Sequence, residues 1–168
     1  MDTTMKKKFI AGNWKMNGSL AANASLLQAL IDGSQGMNCL AAVCVPAAYL
    51  SQVQSLLVGQ SVFALGSQDV SAQEVGAFTG EISAGMLKDF AVRYAIVGHS
   101  ERRQYHSESD SLVALKAQRA LSAGITPIVC GRNFGRARCG QNRRGGEAPN
   151  GGCHSHQRSL HQRNRGGL

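Results

Sequence analysis

"YAIVGHSERRQYH", residues 94–106, passes from an apolar run to Gly98, His99 and then a cluster of charges within a few residues. The apolar part is rich in β-branched and small residues, so "YAIVGHS" (94–100) predicts a strand buried on both faces. His99 follows that strand and precedes a short helix, a place where α/β folds concentrate their chemistry. The positive end of a helix dipole disfavours imidazolium there. A neutral imidazole in that position can donate a hydrogen bond to a developing oxyanion. A histidine bonded to backbone for structural reasons would fit the same stretch.

Working outward, four more runs of the same kind appear: "FIAGNW" (9–14), "LAAVCV" (40–45), "VFALGSQDV" (62–70) and "TPIVC" (126–130). Helical patterns separate them. "SLAANASLLQALID" places Leu20, Ala24, Leu27 and Ile31 at helical spacing, with Ser19 as N-cap and Gly33 as stop. "PAAYLSQVQSLLVG" opens on a proline suited to a first helical turn and closes on Gly59. "SESDSLVALKAQRALSAGI" sets Leu112, Leu115, Arg119 and Ser122 along one row, with Gly124 as stop. Strands apolar on both faces, alternating with helices, predict an α/β fold with a parallel sheet. Five strands are about half of a (β/α)8 barrel, which takes roughly 250 residues. Periodicity equally permits a doubly wound open sheet, although no G-x-G-x-x-G follows the first strand.

Charge divides the chain at Cys130. Residues 1–130 hold 10 Lys+Arg and 9 Asp+Glu, whereas residues 131–168 hold 8 Arg and one acid, Glu147. The net charge of +8 therefore belongs almost wholly to the tail, and the first part gives no electrostatic reason to expect nucleic acid or an anionic membrane. Five cysteines without disulfide-type spacing, no secretory pattern after Lys6–Lys8 and no membrane-length apolar run predict a reduced, cytoplasmic protein. Residues 131–168 carry nine glycines and few large apolar groups, too little to offset the entropy of ordering, so this segment is expected to be disordered or non-native.

Two further polar clusters end predicted strands. In "GNWKMNG", Asn13 and Lys15 are two residues apart and can point to the same side, where an ammonium attracts an anion. "GSQDVSAQEVGAFTGEIS" is a long loop carrying Gln68, Thr79 and Glu81, and loops of that length are usually functional or touch another subunit.

"FIAGNWKMNGS", "GAFTGEIS" and "YAIVGHSERRQYH" together, in this order and spacing, resemble the triosephosphate isomerase family over residues 6–130. The resemblance implies a partial TIM barrel and a reversible proton transfer between dihydroxyacetone phosphate and D-glyceraldehyde 3-phosphate through an enediolate, with no metal or organic cofactor. It implies Lys15 and His99 as catalytic residues, Lys15 holding negative charge and His99 polarising the carbonyl, with Asn13 and Lys15 as the substrate-binding pair. Glu101 matches the partner of the site lysine. Thr79 matches a loop residue that enters the partner of a homodimer, and Arg102 and Glu81 match a pair joined across that interface.

The family's general base lies in a "YEPVWAIGTG"-like stretch, which does not occur in residues 1–168. Loss of a positioned base removes at least about 10²–10⁴-fold of rate, so the chain is expected to be inactive. Residues 131–138, "GRNFGRAR", can be encoded as GGG CGA AAC TTT GGC CGA GCG CGA, which one base later reads "GETLAER", similar to the family's continuation. A frameshift near Cys130 accounts for the tail. Two other readings use the tail as it stands: an RNA-binding protein acting through "RRGG" and "NRGGL", with Phe134 as sole stacking aromatic there, and a metal site from Cys153, His154, His156 and His161, whose spacing matches no standard zinc pattern. Sequencing the locus across the Cys130 codon is expected to show the "GETLAER" frame displaced by one base; a second isolate encoding this basic tail in an undisturbed frame would overturn that explanation.

Overall fold

The computed structural model of the chain describes residues 8–131. These fall in the first of two compact units, which ends at Asn133; the second, residues 134–168, lies outside the described residues. The elements are β1 (Lys8–Asn13), α1 (Leu20–Asp32), β2 (Cys39–Val45), α2 (Leu50–Leu56), β3 (Phe63–Ser67), α3 (Ala84–Asp89), β4 (Tyr94–Val97), α4 (Ser100–Tyr105), α5 (Asp110–Ser122) and β5 (Thr126–Val129). A 3-10 turn at Ala47–Tyr49 leads into α2, so the helix expected over residues 46–59 is split and shorter.

All five strands pair in parallel, in the order β1-β2-β3-β4-β5. Sequential order decides between the two architectures left open by periodicity, because a doubly wound sheet reverses direction at a switch point and a barrel does not. Curvature points the same way. The rings of Phe9 on β1 and Tyr94 on β4 lie 4.7 Å apart, although β2 and β3 separate their strands. A flat sheet would hold those strands about 14 Å apart. The sheet is a curled arc, the half-barrel expected of a partial TIM barrel.

Leu27, Val43, Val45, Leu50, Val53, Leu65, Leu87, Val97, Val113 and Ile125 form the main core, joining the helices to the convex side of the arc. A second cluster, Ala42, Cys44 and Ile96 with Tyr94, Ile128 and Cys130 packed against it, occupies the other face. The two outer strands are less covered: Phe9 and Ile10 on β1 are 41% and 52% exposed, and Val129 on β5 is 58% exposed.

Ser19 caps α1, its hydroxyl accepting from the Ala22 amide at 3.2 Å, and the helix stops at Gly33 as the sequence predicts. The apolar rows need correction. In α1 the buried residues are Asn23 and Leu27, while Leu20 is exposed. In α5 they are Val113, Lys116 and Ala120, not the row Leu112–Leu115–Arg119–Ser122. An offset of one residue turns a helix by about 100°. Hydrophobicity alone misses this face because its central residue is a lysine, buried by ion pairs described below. Among the described residues no helix is long and apolar enough to cross a membrane.

Leu27 is fully buried and Leu20 is 63% exposed. Leu27→Ala is therefore expected to lower stability by about 2–5 kcal/mol, and Leu20→Ala by no more than about 0.5 kcal/mol, measured as shifts in urea midpoint.

Candidate functional site

The C-terminal ends of β1, β3 and β4 converge on one rim. At the end of β1, the Asn13 carboxamide oxygen accepts from the Lys15 amide at 2.9 Å. Lys15 has φ of 53°, a left-handed conformation uncommon for a residue with a Cβ. The Gln68 side-chain amide, just beyond β3, donates to the carbonyl of Lys15 at 2.9 Å and to that of Cys44 at 3.0 Å. Backbone bonds from both sides thus hold the turn in which Lys15 stands.

β4 ends at Val97, three residues sooner than the sequence predicts, because Gly98 turns the chain with φ of 69°. A Cβ at Gly98 would stand 2.8 Å and 2.9 Å from the two methyls of Val113 and 2.9 Å from the Arg103 guanidinium. Such close passage between strand end and α5 leaves room only for glycine. His99 follows as the N-cap of α4, the short helix expected there, and its Nδ1 accepts from the Glu101 amide at 3.3 Å. Nδ1 also lies 3.5 Å from the Glu101 carboxylate, so both contacts to Glu101 fall on Nδ1 and none on Nε2. Arg103 secures this corner, its guanidinium donating to the Gly98 carbonyl at 2.8 Å and to the Cys130 carbonyl at 3.2 Å.

Lys15 and Glu101 meet across the rim, Nζ to Oε1 at 2.6 Å, with both side chains about half exposed (51% and 46%). The Lys15 hydrogen bond holds the Glu101 carboxyl below the usual carboxylate range. The pair therefore persists above that range and breaks as pH falls through the lowered value of Glu101. Asn13, Lys15, His99 and Glu101, far apart in sequence, are brought together. They form an open rim: the neighbouring cavity of about 210 Å³ is lined by Ser67, Gln68, Asp69, Glu81 and Arg102, and by none of these four.

Thr79 and Glu81 lie on the exposed stretch between β3 and α3. Its base is closed by the Ser71 amide donating to the Ile82 carbonyl at 2.8 Å, and Arg119 fastens it through the Ala72 carbonyl at 3.0 Å and an ion pair with Glu74. Glu81 shares the cavity wall with Arg102, while the Arg102 guanidinium itself binds Asp69 at 2.8 Å and Glu108 at 2.7 Å. Asp69, Glu108 and Lys116 escaped the sequence reading. Their one signal is Lys116 standing between Val113 and Ala120 on a helical row.

Burial pushes the Cys44 thiol up to about 12, with Cys130 adding to the shift, so Cys44 is an inert core group. No cluster of His, Cys, Asp or Glu suited to a metal occurs among the described residues. Cys153, His154, His156 and His161, and the Arg/Gly runs read as an RNA-binding tail, lie outside the described residues.

Comparison with known proteins places this geometry in context. The family model for triosephosphate isomerase matches residues 8–143. A triosephosphate isomerase from Albidiferax ferrireducens is 67% identical over 126 residues, covering 75% of this chain and 51% of that protein. One from Paracidovorax citrulli is 65% identical over 128 residues, covering 74% of this chain and 51% of that protein. The crystal structure of triosephosphate isomerase from Bartonella henselae aligns with a TM-score of 0.69 and 41% identity, covering 74% of this chain and 52% of that one. The chain spans about half the length of the curated relatives it matches.

Gly98→Ala is expected to cost about 1–3 kcal/mol through backbone strain and overpacking, with displacement of the His99 imidazole ¹⁵N resonances. Combined with Val113→Ala, which clears the contact, the loss should be less than additive; strict additivity would show that the close passage does not set the position of His99.

Proposed function

The chain belongs to the triosephosphate isomerase family, and from that membership we propose that residues 8–131 carry the anion-binding and electrophilic half of an isomerase site. The substrates are dihydroxyacetone phosphate and D-glyceraldehyde 3-phosphate. Lys15 attracts the phosphorylated substrate and opposes the charge that grows on the enediolate. Asn13 sets the turn that presents it. His99 donates from Nε2 to the carbonyl oxygen as the adjacent C–H bond gives up its proton, and the enediolate takes the proton back on the neighbouring carbon. The chemistry is proton transfer and charge stabilisation, and asks for no metal or organic cofactor.

The observation that carries this reading is the His99 hydrogen bond from the Glu101 amide to Nδ1. It turns Nδ1 toward Glu101 and leaves Nε2 to serve as the electrophilic donor, and it does so on the residue whose carboxylate holds the Lys15 ammonium. The stretch carrying Thr79 serves a homodimer, with Val75 (87% exposed) and Phe78 (46% exposed) offered on its surface. Glu81 and Arg102, on one cavity wall, meet their counterparts there. Free Cys39, Cys44 and Cys130 suit a reducing, cytoplasmic setting. Residues 1–130 form the isomerase part and residues 131–168 a frameshifted, non-native tail. Residues 8–131 then bind substrate charge without themselves supplying a base, since no "YEPVWAIGTG"-like stretch occurs among them.

Dihydroxyacetone phosphate titrated into the purified chain is expected to move the Lys15 and His99 NMR resonances, and Lys15→Met should abolish the response. A coupled isomerase assay should stay at background. Unmoved resonances would refute the half-site, and turnover above background would show that another group acts as base.

A further inference from the structure

Beneath the rim lies a closed ring of four charges. The Lys116 ammonium, 3% exposed, binds Asp69 at 2.8 and 2.7 Å and Glu108 at 2.6 Å. The Arg102 guanidinium binds the same two carboxylates, Glu108 at 2.7 Å and Asp69 at 2.8 Å. Cation and anion alternate around the ring, and it is neutral as a whole. It ties together the segment after β3, α4, the turn before α5, and α5 itself. At Asp69 burial outweighs the nearby cations and raises the carboxyl above its ordinary value, whereas at Glu108 the hydrogen bonds from Lys116 and Arg102 outweigh burial and hold it below. The other oxygen of Glu108 is buried without a partner, so this carboxylate depends on the two cations alone.

Two corners of the ring adjoin the residues that hold Lys15. Asp69 follows Gln68, whose side chain binds the Lys15 carbonyl. Arg102 follows Glu101, whose carboxylate binds the Lys15 ammonium. Consecutive residues of a helix point about 100° apart, so Arg102 can be anchored inside while Glu101 reaches the rim. α4 has only six residues and cannot hold its own orientation. Lys15, at φ of 53°, keeps its conformation only while its surroundings over-determine it.

We propose that Lys116 is a positioning residue for Lys15: through the Asp69–Glu108–Arg102 ring it fixes Gln68 and Glu101, which grip the two ends of Lys15. Without the ammonium, Asp69 and Glu108 repel each other across a space that Arg102 alone must serve. Asp69 then swings with Gln68, and α4 turns with Glu101. That a displaced Lys15 weakens substrate binding rests on the function proposed above; the mechanical link does not.

The test uses the full-length chain and needs no substrate. The Glu101 carboxyl, held by the Lys15 ammonium, is titrated by ¹³C NMR. In Lys116→Met its midpoint should rise by about one unit, the lower end of what an adjacent opposite charge supplies. Lys116→Arg should restore more than half of that shift, and Leu27→Ala, destabilised at a distance, should show none. A folded Lys116→Met with the wild-type midpoint overturns the proposal, as does a Lys116→Arg chain that behaves like the Met variant. Should Lys116→Met fail to fold, Asp69→Asn at the partly exposed corner is read in the same way, and an unchanged midpoint there is equally fatal. A shifted midpoint combined with no binding of dihydroxyacetone phosphate by the wild-type chain would refute the half-site and leave the ring standing.

Discussion

Every strand of the sheet points the same way, and each pairs with its successor in the chain. This constraint governs the rest. Parallel neighbours need a crossover after each strand, so all strands end on one rim and all the connecting helices lie on one side. Asn13 closes β1 and Lys15 lies just beyond it, while Gln68 and Asp69, and Gly98 and His99, follow the ends of β3 and β4, which is why residues up to 86 positions apart form one cluster. The rim inherits its composition from three separate turns.

Two layers of charge hold the rim, and their energetics differ. The Lys15–Glu101 pair is half exposed, so water and salt screen it and its contribution to stability is small. Its value lies in placement. The Lys116–Glu108 pair of the ring is buried, where breaking it leaves an uncompensated charge and costs about 3–5 kcal/mol.

Among the described residues the arc ends at β1 and β5, each paired there on one side only. Exposure of Phe9, Ile10 and Val129 follows directly, because the outer strands have no neighbour to bury those faces. The matched solved structure is covered to 52% of its length, in keeping with five strands of a fold that uses eight. The described residues thus contain a complete rim for their own strands, with apolar faces at both edges.

Local chemistry was legible in the sequence wherever it depends on neighbours along the chain. The five strands, the Ser19 cap and the Gly98–His99 turn into a short helix could each be read from a few adjacent residues, because apolar runs, capping hydroxyls and glycine express preferences that operate over one turn or one strand. Asn13, Lys15 and His99 stood out locally as polar residues at the ends of apolar runs, whereas Glu101 was singled out only through the family resemblance. Only the tertiary structure decided which face of α5 is buried. Lys116 looks like a solvent residue until Asp69, 47 positions away, and Glu108 are brought to it. Likewise periodicity left barrel and open sheet undecided, since both are built from the same alternating elements, and only the family resemblance pointed to a partial TIM barrel. Strand order and curl are set by which edges meet in space, an interaction between distant segments that no local pattern encodes.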